Sequence, residues 1–224
     1  MIRAVIFDMF ETLITHFEAP LYFGEQIAID AGIPPDVFLP RWHPTERDRS
    51  IGKLSFEETV TQILQENQRY SPELLSAITQ KRIQAKKACF EHLHPQILPL
   101  LSALKDRGML IGLISNCYSE EVAPIRESIL FPYFDACFLS YEQGMQKPDE
   151  AIFRNCLNAL RVNAQECLYV GDGGSRELEA ASALGMKVLQ ATWYFKDGAD
   201  SHWPRNGAFP QLDHPLDVIH HLDM

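Results

Sequence analysis

Short apolar runs that end abruptly in a polar residue constrain this chain more than any other feature. Ala4-Val5-Ile6-Phe7 runs into Asp8, Leu110-Ile111-Gly112-Leu113-Ile114 into Ser115-Asn116, and Cys167-Leu168-Tyr169-Val170 into Gly171-Asp172. Uninterrupted apolar runs of this length fit strands buried on both faces, as in a parallel sheet. In an open parallel sheet the carboxyl ends of the strands face one crevice, so the polar residues that follow them converge there. Lys147-Pro148-Asp149, in the loop before the helix that leads to the 167–170 strand, would join them. A carboxylate, a small hydroxyl, an ammonium and a further carboxylate gathered in one place suit phosphoryl or acyl-type transfer through an aspartyl intermediate.

Between the runs the periodicity is helical. Residues 3–8 read as a strand, and residues 20–91 then carry helical spacing with no convincing strand. Leu21, Ile27, Ala28, Ile29 and Ala31 suggest one helix, stopped by Gly32 and Pro34-Pro35. Ser55 followed by Glu57 and Glu58 starts a second, with Val60, Ile63 and Leu64 as its apolar stripe. Ser71 with Pro72 opens a third, whose buried face is expected at Leu74, Leu75, Ile78 and Ile83. From about residue 95 helix and strand alternate. Helices are expected over Ile97–Arg107, 119–130, Asp149–Leu160 and Ser175–Leu184, and strands at 109–114, 136–140, 167–170 and Val188-Leu189. This alternation predicts βαβ units around a parallel sheet. The tail, residues 192–224, is irregular and rich in Trp, His and Pro, and suggests no role.

Composition excludes several classes of function. A formal net charge of −10 argues against nucleic acid as a general partner, because a phosphate backbone needs a basic surface. A local basic pocket for a small anion stays compatible with it. The five cysteines are scattered and odd in number, which fits reduced, mostly buried thiols better than a disulfide framework or a zinc site. Only four apolar residues follow Arg3 before Asp8, so no signal peptide is read, and no apolar stretch approaches the ~20 residues of a membrane span. The expectation is a cytoplasmic protein with no membrane partner.

The motifs Phe7-Asp8-Met9-Phe10-Glu11-Thr12-Leu13, Ile114-Ser115-Asn116, Gly144-Met145-Gln146-Lys147-Pro148-Asp149 with Ile152-Phe153, and Val170-Gly171-Asp172 followed by Gly185-Met186 resemble, in order and spacing, the four motifs of the haloacid dehalogenase superfamily of hydrolases. The resemblance covers nearly the whole chain. It implies an α/β fold with a Rossmann-like parallel-sheet core, residues 1–15 and 92–224, and a helical cap domain, residues 16–91, inserted after the first strand. A phosphorylatable receiver domain also combines a strand-end Asp, a hydroxyl and a Lys. It gathers its acidic pair at the first strand and has no large helical insertion there, so it does not fit.

The resemblance implies roles residue by residue. Asp8 would be the nucleophile that forms a covalent ester, later hydrolysed by water. Thr12 would hold the Asp8 loop through its hydroxyl. Ser115, the backbone near Asn116, and Lys147 would bind the transferring group. Asp172 would ligate Mg²⁺ together with Asp8 and the backbone carbonyl of Phe10, with Glu177 reaching a metal-bound water. Glu179 is expected to face solvent.

One position departs from the pattern. Phosphatases of this superfamily usually carry a second Asp two residues after the nucleophile to protonate the leaving group, and this chain has Phe10 there. Phe cannot transfer a proton, and the loss of acid–base help costs about 10²–10⁴ in rate. Haloacid dehalogenases place Tyr at that position but lack a metal, whereas Asp172 and Glu177 keep the look of a metal site. Arg41-Trp42, Arg47 and Arg49 are candidates for a halide pocket, although arginines in the cap are more often surface charges. The reading is therefore a Mg²⁺-dependent phosphatase acting on a small phosphorylated substrate, with Phe10 among the substrate-binding residues. A carbon–halogen hydrolase is the alternative, and a non-catalytic member that binds a phosphorylated ligand or a protein the second. Glu11 is displaced by one residue from the acid position and is expected to point elsewhere.

Overall fold

The computed structural model describes residues 1–195 and 205–222. Six parallel strands form one sheet in the order β3-β2-β1-β4-β5-β6, with β1 Ala4–Phe7, β2 Leu110–Ser115, β3 Ala136–Leu139, β4 Cys167–Gly171, β5 Lys187–Ala191 and β6 Gln211–Leu212. The first strand lies at the centre, with Phe7 level with Leu113 of β2 on one side and with Val170 of β4 on the other. The chain leaves β1 toward one edge and returns on its other side with β4, so β1 and β4 flank the point where a parallel sheet opens a crevice.

The strands are short but buried on both sides. Val5 and Phe7, Ile111 and Leu113, and Leu168 and Val170 pack into one core layer. Ala4 and Ile6, Ile114, and Cys167 and Tyr169 pack into the opposite one. Full burial of such a side chain contributes roughly 1.5–3 kcal/mol, so even a four-residue strand is held when both faces are covered. Ile97, Leu100, Leu101 and Leu104 of the helix Ile97–Asp106 cover the first face, and Ile152, Phe153 and Cys156 of Glu150–Leu160 with Leu178 and Ala181 of Glu177–Ala183 cover the second.

The chain between β1 and β2 folds into α1 Gly24–Ala31, α2 Pro35–Trp42, α3 Glu46–Ser50, α4 Phe56–Glu66 and α5 Pro72–Ala88. The second half then runs α6 Ile97–Asp106, α7 Ser119–Glu127, α8 Ser140–Gln143, α9 Glu150–Leu160 and α10 Glu177–Ala183, interleaved with the strands. The insertion has its own core, in which Ile27, Ala28, Phe38, Trp42, Phe56, Val60, Leu64 and Ile78 meet. Its start and stop signals act as the residue types dictate. The Ser55 hydroxyl accepts from the Glu58 amide while the Glu58 carboxylate accepts from the Ser55 amide, and Ser71 caps α5 at the Leu74 amide. Gly32 ends α1 at φ +64°, a left-handed turn that glycine adopts without a Cβ penalty.

Two expectations about the insertion need correction. The buried face of α5 is formed by Ile78, Arg82 and Lys86, while Leu74, Leu75 and Ile83 are only half-buried. Leu21 lies outside α1 and, like Ile29, is exposed. The tail also has structure: β6 extends the sheet, and the 3-10 helix Pro215–His221 places Val218 in the core beside α6. All five cysteines are free. Among the described residues no helix is long and apolar enough to cross a membrane.

Candidate active site

Asp8 follows β1 directly, and its amide donates to the Val170 carbonyl of β4, which fixes the residue at the sheet's opening. One carboxylate oxygen, Oδ1, accepts from the Met9 amide at 2.7 Å and lies 2.5 Å from the Lys147 ammonium. Burial pushes the Asp8 carboxyl up; Lys147 and the Met9 amide work against this. Burial also works to lower Lys147, but the carboxylates of Asp8, Glu177 and Asp172 outweigh it and hold the ammonium above its usual range. An ion pair removed from water survives only with such compensation.

Asn116, the residue after β2, holds Lys147 in place. Its amide oxygen accepts from the Lys147 N–H at 2.8 Å, and its NH₂ donates to the Lys147 carbonyl and to the Ser175 hydroxyl. Asp172 follows β4; the Gly174 amide donates to its carboxylate, and Gln190 of β5 donates to its carbonyl. Glu177, the first residue of α10, accepts from the amides of Gly173 and Ser175 and so shapes the 173–175 turn. A Cβ at Gly171 would stand 2.8 Å from the Glu177 carboxylate and push it from its place at the turn.

Asp8, Asp172 and Glu177 are all buried, and each offers a carboxylate oxygen such that the three lie within 4.8 Å of one another. Burial and then the charges of Asp8 and Glu177 hold Asp172 well above the usual carboxylate range. Three acids facing one another with a single ammonium carry surplus negative charge, and an all-oxygen donor set is what a hard divalent cation such as Mg²⁺ takes.

Asp8, Asn116, Lys147 and Asp172, but not the fully buried Glu177, border a cavity of about 870 Å³ that reaches to Trp42, Arg47 and Arg49 of the helical insertion. The sequence profile of the haloacid dehalogenase-like hydrolases matches residues 2–185. The chain belongs to this family of hydrolases. The chain is 24% identical over 235 residues to a glyceraldehyde 3-phosphate phosphatase of Methanocaldococcus jannaschii, covering 99% of both. Its fold is similar to that of a 2-haloacid dehalogenase of Pseudomonas syringae pv. Tomato, with TM-score 0.72 and 21% identity over 100% of this chain and 99% of the other. It is also similar to a family enzyme of Bacteroides thetaiotaomicron in complex with magnesium and inorganic phosphate, with TM-score 0.63 and 17% identity over 89% of this chain and 97% of the other.

Within this haloacid dehalogenase-like hydrolase the residues singled out in the sequence do not all share the cavity. Asp8, Phe10, Asn116, Lys147 and Asp172 border it. Ser115 and Thr12 are fully buried and do not line it, nor does Glu177. The Thr12 hydroxyl has no hydrogen-bond partner, which corrects the expectation that it ties the Asp8 loop. That loop is held through backbone: the Trp193 indole donates to the Thr12 carbonyl, and the Tyr194 hydroxyl to the Leu13 carbonyl. Two residues of the tail thereby gain a role that their local sequence does not reveal.

Phe10 stacks on His16 with ring centroids 4.5 Å apart, so no proton donor stands in its place. Glu11, at φ +55°, turns back to accept from the Thr15 hydroxyl and the His16 amide. Burial, then the nearby charges of Lys86 and Arg82, hold His16 well below the usual imidazole range, so it is neutral beside Phe10. The wall is completed by Arg82 and Lys86 of α5, which sequence reading missed. Arg82 pairs with Glu120 at 2.9 Å and Lys86 with Glu121 at 2.6 Å, all four buried, joining the insertion to α7. Arg41 is tied to Glu66 on the surface, Arg47 and Glu179 are exposed, and Arg49 is buried.

Proposed function

We propose that the protein is a Mg²⁺-dependent phosphatase that hydrolyses a small phosphomonoester through an aspartyl-phosphate intermediate. The observation that carries the reading is the Asp8–Lys147 ion pair at one end of the cavity, with Asp172 beside it and the buried Glu177 within 4.8 Å of both acids. Residues 16–91 act in this reading as a cap that encloses the ester's leaving group, and residues 1–15 and 92–224 as the catalytic core. Lys147 and the Met9 amide both act on Asp8 Oδ1, which leaves Oδ2 to attack phosphorus as the bond to the leaving oxygen breaks. The ammonium of Lys147, whose backbone Asn116 clamps, then neutralises charge on the phosphoryl oxygens. Water cleaves the Asp8 ester and regenerates the carboxylate. Asp8, Asp172 and the Phe10 carbonyl would hold Mg²⁺, with Glu177 acting through a water, and the ion would bind and polarise the phosphoryl oxygens.

The acid cluster weighs against carbon–halogen hydrolysis, where an organic carboxylate ester forms with no role for a divalent cation. Retention of both Asp8 and Lys147 weighs against a pure binder. The test is turnover of p-nitrophenyl phosphate, a sugar-phosphate panel and 2-chloropropionate, each with Mg²⁺ and with chelator. Phosphate release that requires Mg²⁺ supports the reading; halide release in chelator overturns it.

A further inference from the structure

The cavity is far larger than a phosphate group, and its far end holds a buried guanidinium with which no carboxylate among the described residues forms an ion pair. Among the described residues four cations are buried: Arg49, Arg82, Lys86 and Lys147. Three of them have a carboxylate partner, Glu120 for Arg82, Glu121 for Lys86 and Asp8 for Lys147. Arg49, only 2% exposed, has none. Its Nε donates to the Thr45 hydroxyl at 3.0 Å, and its Nη1 has no hydrogen-bond partner. The guanidinium lies 3.6 Å from the Trp42 ring of the insertion and 4.7 Å from the Tyr118 ring of the core.

Aromatic faces orient a guanidinium but do not neutralise it, and an uncompensated buried charge is strongly destabilising. Among the described residues five acids border the same cavity. Asp8 is paired with Lys147 and Asp172 belongs to the acid cluster beside it, Glu46 is exposed and accepts from the Tyr118 hydroxyl, Glu121 is paired with Lys86, and Glu11 accepts from the Thr15 hydroxyl in its own loop. Burial draws the Arg49 guanidinium down, with the Tyr118 hydroxyl and the Glu120 and Glu46 carboxylates working against this. Arginine stays protonated regardless.

We propose that Arg49 is a specificity-determining residue, binding a second oxyanion, a carboxylate or a second phosphoryl group, carried by the leaving group of the substrate. The inference rests on the phosphatase reading and names its substrate class: phosphomonoesters with an anionic group at the end remote from the ester. An oxyanion supplies the missing counter-charge and accepts from a planar fork already fixed by Thr45 and two rings, so little side-chain freedom remains to be lost on binding.

The test compares alkyl phosphates with esters of equal chain length ending in a carboxylate or in a second phosphate, over a ladder of lengths. For the wild-type protein kcat/KM should favour an anion-terminated series by about 10- to 100-fold, the value of a hydrogen bond to a charged group. Arg49→Gln should abolish that ratio. Arg49→Lys, which keeps the charge and loses the planar fork, should retain part of it, and serves if the Gln variant does not fold. A structural defect lowers all series together and leaves the ratio untouched. Dissociation constants for the same compounds on Asp8→Asn, with and without Arg49→Gln, separate this inference from the phosphatase reading. If no ester turns over but the anion preference in binding appears and depends on Arg49, the enzyme reading falls and this one stands. Equal kcat/KM for charged and neutral series, or a preference that survives Arg49→Gln, overturns it.

Discussion

The Lys147 ammonium lies 2.5 Å from Asp8 Oδ1 with both side chains buried, so each favours the other's charged form against the pull of burial at the mouth of the sheet. The pair is brought together by strand order: Asp8 ends the central strand, and Asn116, at the end of its neighbour, clamps the backbone of Lys147. If Asp8 is the nucleophile, as proposed, Asp8→Asn keeps the shape and removes it, so turnover should vanish in a phosphate-release assay while the folded protein remains. Lys147→Met should cost about 10²–10³ in kcat, the usual loss of one charge-stabilising donor. Full activity of either variant would remove the residue it replaces from the chemistry.

The acids beside this pair predict a pH-dependent response to Mg²⁺. The Asp172 pKa is raised in the folded protein above the ordinary value near 3.8, chiefly by burial. A carboxyl raised in this sense favours folding in acid, and that contribution is lost as pH rises through the folded pKa. The metal-free protein should therefore lose stability from Asp172 on going from acid toward neutral pH. In the proposed reading a divalent cation would bind the deprotonated acids and reverse the loss, since ligands must shed their protons. The Tm increment from Mg²⁺ should grow with pH and shrink in Asp172→Asn. An increment independent of pH and of Asp172 would place the ion elsewhere.

Helix α5 and helix α7 are joined by buried charge, which gives a stability prediction far from the chemistry. Arg82→Met leaves Glu120 buried without its partner and should cost about 3–5 kcal/mol in denaturant unfolding. Replacing Glu120 by Gln as well should recover part of that loss, because the uncompensated charge is gone. Strict additivity of the two changes would mean that the 2.9 Å contact carries no coupling.

The strands and most helices were legible because burial on both faces writes continuous apolar runs, and because Ser55, Ser71 and Gly32 are types whose backbone chemistry marks helix ends. The site was legible to the extent that its residues follow strands: Asp8, Asn116 and Asp172 do. What was hidden depends on partners remote in the chain. Apolar periodicity places Ile83 in the buried face of α5, yet Arg82 and Lys86 take that face because Glu120 and Glu121 meet them there. Arg49 reads as a surface charge until Trp42 and Tyr118 are found beside it. Strand β6 has two residues, too few for any pattern, and Trp193 supports Thr12 across the whole length of the sequence.

Phe10 gives the sharpest test of how the leaving group departs. Its ring stacks on a neutral His16, and Glu11 is turned into its own loop, so neither neighbour supplies a proton to the ester oxygen. The wild-type protein should then hydrolyse p-nitrophenyl phosphate, whose leaving group departs as an anion, much faster than an alkyl phosphate. Phe10→Asp should raise kcat/KM for the alkyl ester, within the ceiling of about 10²–10⁴ that acid catalysis provides, and change the aryl ester little. Loss of the aromatic pair should lower stability by about 0.5–1.5 kcal/mol beyond the lost burial, so the gain in rate is read at a temperature well below the new Tm. If wild-type protein already cleaves both esters equally fast, the proton comes from another group, and Phe10→Asp will leave the ratio of the two rates unchanged.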